Sequence, residues 1–389
     1  MILFIYTFSI NRARTSGMFY EELNRRCDGK TLAMLDVSKC ELAQVEKEMN
    51  KASLLVFDNS LILSMGKKEI LARNFYTSHD KPKEFFREVW EQVSRSDKPV
   101  FLLHPSSDLH AVNFGLDREL YLEILKRTSG IFWPYYQFPL DRDDQQDRYP
   151  FTTLSRFNLV KSDMIRIWEE ITGHIPISID FPHCLGQSEL GRRNRRKSWD
   201  VIIPGVTYRT REIAEESCKQ AGLEMTPYIS LSRWFVYAPY LVYSKVSPRS
   251  FSTPFYQKAS FRMYRSLIAR SSVSFTCGSE LKFFVRKFLE VPAFRTAMLA
   301  YPSNNFSDYG FVEGTHYLHC FPEEAGEKAK YLLGQKQVSE QLVKNAMELI
   351  TREHMAVNRV DQVIGSLRAF LQGKLKSAGY REGKFEINP

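Results

Sequence analysis

Short apolar runs alternate with amphipathic stretches from the first residues onward. Ile2–Ile10, Leu32–Val37, Ser53–Asp58, Val100–Leu103 and Ile131–Pro134 read as buried strands. Between them Phe19–Arg26, Glu41–Asn50, Lys83–Ser94 and Arg118–Thr128 place apolar residues at helical spacing. Strand and helix in alternation predict right-handed βαβ units and a parallel sheet covered on both faces.

A polar stretch over 141–150, ending in Pro150, interrupts the series as a surface loop. Signals resume at Leu159, Ser162–Thr172 and Ile175–Phe181. The segment Gly186–Ser198 is then basic and poor in apolar residues, which predicts an interdomain linker. A second series follows: strand Trp199–Ile203, helix Thr210–Ala221, helix Ala259–Ala269, strand Val273–Thr276, helix Leu281–Ala293 and strand Thr296–Tyr301. The aromatic-rich region near 228–257, with Pro239, Pro248 and Pro254, yields no clear element. Helices Val338–His354 and Val357–Leu371 are expected to close the chain. The expected organisation is two doubly wound α/β domains, 1–188 and 199–389, with the last helix able to pack back on the first. A length of 389 residues suits two domains.

Charge adds one point. The formal net charge of +9 favours polyanionic partners such as nucleoside diphosphates, nucleic acid or an anionic membrane surface. Arg192, Arg193, Arg195, Arg196 and Lys197 concentrate that excess, and read equally as a solvated loop or as a membrane or substrate contact. The six cysteines show neither zinc spacing nor a disulfide framework, which fits reduced thiols in the cytoplasm. The apolar start reads as a strand and not as a signal peptide. No run approaches eighteen apolar residues, so membrane contact is expected to be peripheral at most.

Ligands of open parallel sheets lie at the carboxyl ends of strands, where helix N-termini offer unpaired N–H groups. The turn after Trp199–Ile203 reads Pro204-Gly-Val-Thr-Tyr-Arg-Thr-Arg211. Gly205 would let a phosphate approach the backbone, and Arg209 and Arg211 could donate charge-assisted bonds to it. A plain strand–turn–helix with two exposed arginines is the competing reading. A second place is Val285-Arg-Lys-Phe-Leu-Glu290. There Glu290 could accept both hydroxyls of a ribose, and Lys287 or Arg286 could neutralise a diphosphate leaving group. No Asp-x-Asp occurs and Asp143-Asp144 lies in a polar loop, so no metal site is signalled.

From about Trp199 to Arg368 the chain resembles the C-terminal domain of group-1 GT-B glycosyltransferases, especially the CgeB-like ones. The resemblance rests on the order of fragments. Asp200–Arg211, Tyr264–Ser272, Arg286–Glu290 and the Asn304–Phe311 loop come first. Phe321-Pro-Glu-Glu324, Ala329-Lys-Tyr-Leu-Leu333, Leu349–His354 and Arg359-Val-Asp-Gln-Val363 follow. It implies a GT-B fold, two Rossmann-like domains facing a central cleft, and transfer of a sugar from a nucleoside-diphosphate sugar to a glycan or glycolipid without a metal. Glu290 would hold the donor ribose, and Arg209, Arg211 and Lys287 the diphosphate. Backbone N–H groups of Asn304, Asn305, Phe306 and Ser307 would meet the donor sugar or phosphates. The acceptor would lie in the first domain, near Gly17. His104, Asp108, His110 and His183 are the candidates for a general base. Many retaining members carry a second glutamate eight positions before the first; here that position is Lys282, with Glu280 the nearest acid, which leaves anomeric outcome open. A nucleotide-sugar epimerase, a DNA glucosyltransferase and a noncatalytic glycan- or nucleic-acid-binding protein remain alternatives.

Overall fold

The computed structural model describes residues 1–7, 17–65, 81–103, 118–133, 169–170, 172–191, 196–205, 209–227, 254–278, 284–302 and 306–389. The chain divides into two units: 1–183 with 356–380 and 385–389, and 184–355 with 381–384.

In the first unit the strands are β1 (Ile2–Tyr6), β2 (Leu32–Asp36), β3 (Leu54–Asp58), β4 (Val100–Leu103), β5 (Thr128–Trp133) and β6 (Ile177–Asp180). Late in the chain β11 (Ser377–Arg381) and β12 (Lys384–Asn388) join the same sheet, in the order β12-β11-β6-β5-β4-β3-β1-β2. From β2 to β11 the pairings are parallel. Every residue of β3 and β4 is buried, as expected of parallel strands covered on both faces. Helix α4 (Lys83–Arg95) shows how the cover forms: Phe85, Phe86, Val89, Trp90 and Val93 line one face at helical spacing. With α2 (Leu42–Lys51) it closes a core that includes Val45, Met49, Leu55 and Phe57. On the other face the Phe19 ring of α1 (Gly17–Arg26) meets Phe181 edge-on, and Phe101 meets Phe370. Helices α3 (Asn59–Ser64) and α5 (Arg118–Arg127) complete the connections.

Phe370 belongs to the last helix, Ala356–Leu371, which serves the first unit, with Val360, Val363 and Leu367 buried. Helices do not close the chain: two strands follow. Their signal is weak because only Ala378 and Tyr380 of β11 turn inward.

The second unit holds β7 (Trp199–Ile202), β8 (Ser271–Cys277), β9 (Ala297–Tyr301) and β10 (Leu318–His319), paired in that order and all parallel. Its helices are α6 (Arg209–Gln220), α7 (Pro254–Ala269), α8 (Lys287–Ala293), α9 (Ala325–Gly334) and α10 (Lys336–Glu353), which makes Ala356–Leu371 α11. Val201, Ala214, Phe275, Leu299, Ala329 and Leu332 share its core. Gly326 lets α9 close on α6, since a β-carbon there would stand 2.3 Å from Ser217 O. Part of the segment expected to be a linker is folded into this unit. Gly191 N donates to Ala293 O at 2.8 Å, and Ser198 N to Arg270 O at 2.7 Å. Backbone pairing fixes these residues where apolar content gave no hint.

Candidate functional site

The second sheet reverses direction at β7. The chain leaves β7 through α6 and returns at Met225, which bridges Val201 on one side, while β8 pairs with Val201 on the other. A reversal of this kind opens a crevice at the carboxyl ends of the two strands. Beyond β7 stands Gly205, at φ +117°, a conformation that side-chain-bearing residues rarely adopt. A β-carbon there would lie 2.2 Å from Arg211 Nη1 and 2.8 Å from Lys287 Cε. Residues from two different helices therefore bring cationic side chains onto one glycine. Arg211 is 5% exposed, on the inward face of α6, while Arg209 is exposed at that helix's first position. Of the two arginines expected to reach a phosphate, Arg211 is turned inward and Arg209 is on the surface. The N-terminus of α6 adds partial positive charge at the same end of the sheet.

Glu290 lies one turn along α8 from Lys287 and is 7% exposed. Tyr264 Oη donates to its Oε2 at 2.8 Å, and Arg286 Nε stands 3.4 Å from its Oε1. Arg286 reaches the other way as well: its Nη2 and that of Arg265 both donate to Glu189 Oε1. Glu189 is 4% exposed, and its second oxygen accepts from Gly186 N at 2.9 Å. Burial opposes the Arg286 charge, but the carboxylates of Glu290 and Glu189 outweigh it and raise its pKa above the usual arginine value. Of the two cations suggested for the diphosphate, Lys287 thus reaches Gly205 and Arg286 is engaged by carboxylates.

Asn304 and Asn305 lie outside the described residues. Phe306 is buried, its ring packed against Phe288, Phe311 and Tyr317, so its side chain serves the core. Ser307 is exposed. The same aromatic group includes Phe284, Tyr309 and the fully buried His354, whose Nε2 is 2.8 Å from Tyr309 O.

In the first unit, His104, Asp108 and His110 lie outside the described residues. Gly17 is the first residue of α1. His183 is 7% exposed, and its carbonyl accepts from Arg359 Nη2 at 3.5 Å. The first sheet also reverses, at β1, which is flanked by β2 and β3. At that end stands a polar group the sequence reading passed over. Asp58, 1% exposed, accepts from Tyr20 Oη and from Ser60 N and Oγ at 2.9 and 2.7 Å. Thr7 N donates to Ser60 Oγ at 3.1 Å, while Thr7 Oγ1, fully buried, finds no hydrogen-bond partner among the described residues. Asp58-Asn59-Ser60 closing an apolar run was the signal available.

Of the basic run, residues 192–195 lie outside the described residues and Arg196 is exposed. Lys197 is part-buried, with its ammonium turned to backbone carbonyls. Its Nζ donates to Ala269 O, Ser271 O and Arg295 O at 3.2, 2.8 and 2.7 Å, and burial holds its pKa down at about 8. Among the described residues no helix is long and apolar enough to cross a membrane, and no three His, Cys, Asp or Glu side chains converge as metal ligands.

No protein-family model matches the sequence, and no curated protein sequence does. Solved structures do match. The DNA-modifying enzyme β-glucosyltransferase, determined with and without uridine diphosphoglucose, superposes with a TM-score of 0.52 at 10% identity, over 94% of this chain and 99% of its own. HepE from Anabaena, bound to UDP-glucose, gives 0.50 at 8% over 95% and 99%. Sucrose-phosphate synthase from Thermosynechococcus elongatus gives 0.50 at 9% over 96% and 99%. The fold is that of the GT-B glycosyltransferases.

Proposed function

We propose that this chain is a glycosyltransferase that takes a sugar from a nucleoside-diphosphate sugar, with the donor held by the second unit. The observation that carries this reading is the convergence of Arg211 and Lys287 on Gly205 at a sheet reversal. A glycine without a side chain admits a phosphate to the backbone, and two cations with a helix N-terminus stabilise the charge that a departing diphosphate gains. Such preorganised donors can do the work of a divalent ion, so the proposed reaction is metal-independent and needs no cofactor beyond the donor. Glu290, on the same helix as Lys287, is the proposed acceptor of the ribose hydroxyls. The fragment order shared with group-1, CgeB-like glycosyltransferases supports the same assignment.

The acceptor is proposed to be a glycan or lipid-linked glycan held by the first unit, where Tyr20, Asp58 and Thr7 offer hydroxyl and carboxylate groups at the reversal of the sheet. His183, His104, Asp108 and His110 stay as candidates for the base. A cytoplasmic enzyme touching an anionic membrane from one side fits the net charge of +9. That charge, with the likeness to a DNA-modifying glucosyltransferase, favours DNA as a second acceptor class. DNA binding that weakens steeply with salt would mark it.

The deciding experiment incubates the chain with a panel of nucleotide sugars and measures diphosphate release and thermal shift together. A uridine-diphosphate sugar is expected to raise the melting temperature and to be turned over slowly without acceptor. A shift without any turnover, even with glycan or DNA supplied, would identify a binding protein. Neither response to any donor would sink the reading.

A further inference from the structure

We infer that Glu189, assisted by Tyr264, is a positioning residue that fixes the carboxylate of Glu290 for a ribose. The inference rests on the nucleotide-sugar reading above and concerns how that site is held.

Arg286 lies between two carboxylates. One edge of its guanidinium faces Glu290 Oε1 at 3.4 Å, and Nη2 is bonded to Glu189. Glu189 is itself fixed, because its two oxygens engage different partners: Oε2 takes Gly186 N, and Oε1 takes both Arg265 and Arg286. Its side chain is 4% exposed and that of Arg286 11%, so the partners hold each other in a region of low dielectric. Arg286 is therefore held partly away from Glu290. Its Nε stands farther from Glu290 Oε1 than in a normal hydrogen bond, short of the two-pronged geometry that arginine and carboxylate prefer.

That restraint matters for the ligand. An arginine free to turn would take both oxygens of Glu290 side by side and cover the carboxylate. With Arg286 tethered to Glu189, Glu290 carries one donor per oxygen, Tyr264 Oη on Oε2 and Arg286 Nε toward Oε1. Each oxygen retains a lone pair, which is what two adjacent ribose hydroxyls require. The charges also balance: Glu189 and Glu290 against Arg265 and Arg286. Removing the Glu189 charge loosens the tether that holds the Arg286 guanidinium back from Glu290.

The test compares binding of UDP with that of 2′,3′-dideoxy-UDP by calorimetry, in the full chain. Wild type is expected to prefer UDP by about tenfold or more. Glu189→Gln keeps the shape and an acceptor for Gly186 N. It is expected to bring that preference down to threefold or less while leaving dideoxy-UDP affinity unchanged. Tyr264→Phe disturbs no buried charge and is expected to lower the preference in the same direction, so the test survives if Glu189→Gln does not fold. A purely structural Glu189 would weaken both ligands equally or neither. A preference kept intact in both variants overturns the positioning role while sparing the nucleotide site. Absence of any preference in wild type overturns the ribose assignment and the positioning role together.

Discussion

Arg211 Nη1 occupies the space that a β-carbon on residue 205 would need, only 2.2 Å from that point. A side chain at 205 would therefore have to push the Arg211 guanidinium aside. Gly205→Ala meets two obstacles, a φ of +117° and this collision. The variant is expected to lose about 1–3 kcal/mol of stability and at least tenfold in UDP affinity. Urea melts and calorimetry check both; unchanged affinity would place the diphosphate elsewhere.

Glu290→Gln preserves volume and the Tyr264 bond but removes charge from a carboxylate that faces Arg286. Loss of about 1.5–3 kcal/mol in UDP binding is expected, with the circular dichroism spectrum unchanged. Wild-type affinity in this variant would remove Glu290 from the donor site.

Turnover is expected to persist in excess EDTA, because Arg211, Lys287 and the N-terminus of α6 supply the positive charge. Activity lost on chelation and restored by manganese or magnesium would overturn the metal-independent reading.

Lys197 makes stability depend on pH in a defined direction. Its folded pKa, about 8, lies below the ordinary lysine value of 10.5, so between these values the unfolded chain binds more protons than the native one. Native stability must then rise with pH across that window, and be flat with respect to this group below it. Denaturant melts at pH 7, 8.5 and 10 should show wild type gaining on Lys197→Met as pH increases. Wild type losing ground to Lys197→Met as pH rises would mean that the three carbonyls hold the ammonium more firmly than burial opposes it.

How far the sequence leads can be judged residue by residue. Leu54–Asp58 announces itself because a parallel strand buried on both faces must be apolar throughout. Gly205 drew notice as a glycine between strand and helix, but the burial of Arg211 against it did not show in the sequence. Glu189 was not. It sits in a polar, basic segment, and its meaning depends on Arg265 and Arg286, 76 and 97 positions away. Lys197 was hidden among other cations, because charge runs look alike until the carbonyls around one of them are known. Asp58 ended a strand so plainly that its side chain drew no separate notice. The hairpin after α11 was missed because two inward residues make too brief an alternation to detect.

The interleaving of the two units bears on how the molecule is made. Tyr380 N donates to Asp180 Oδ2 at 2.9 Å, across 200 positions of chain, and β11 lies beside β6 only once that distance has been traversed. On a ribosome the stretch 184–355 emerges whole and can settle early. The older, N-terminal stretch has to wait for its finishing strand and helix, with one flank of its sheet open. Removing residues 378–389 would therefore injure the unit that 1–183 begins.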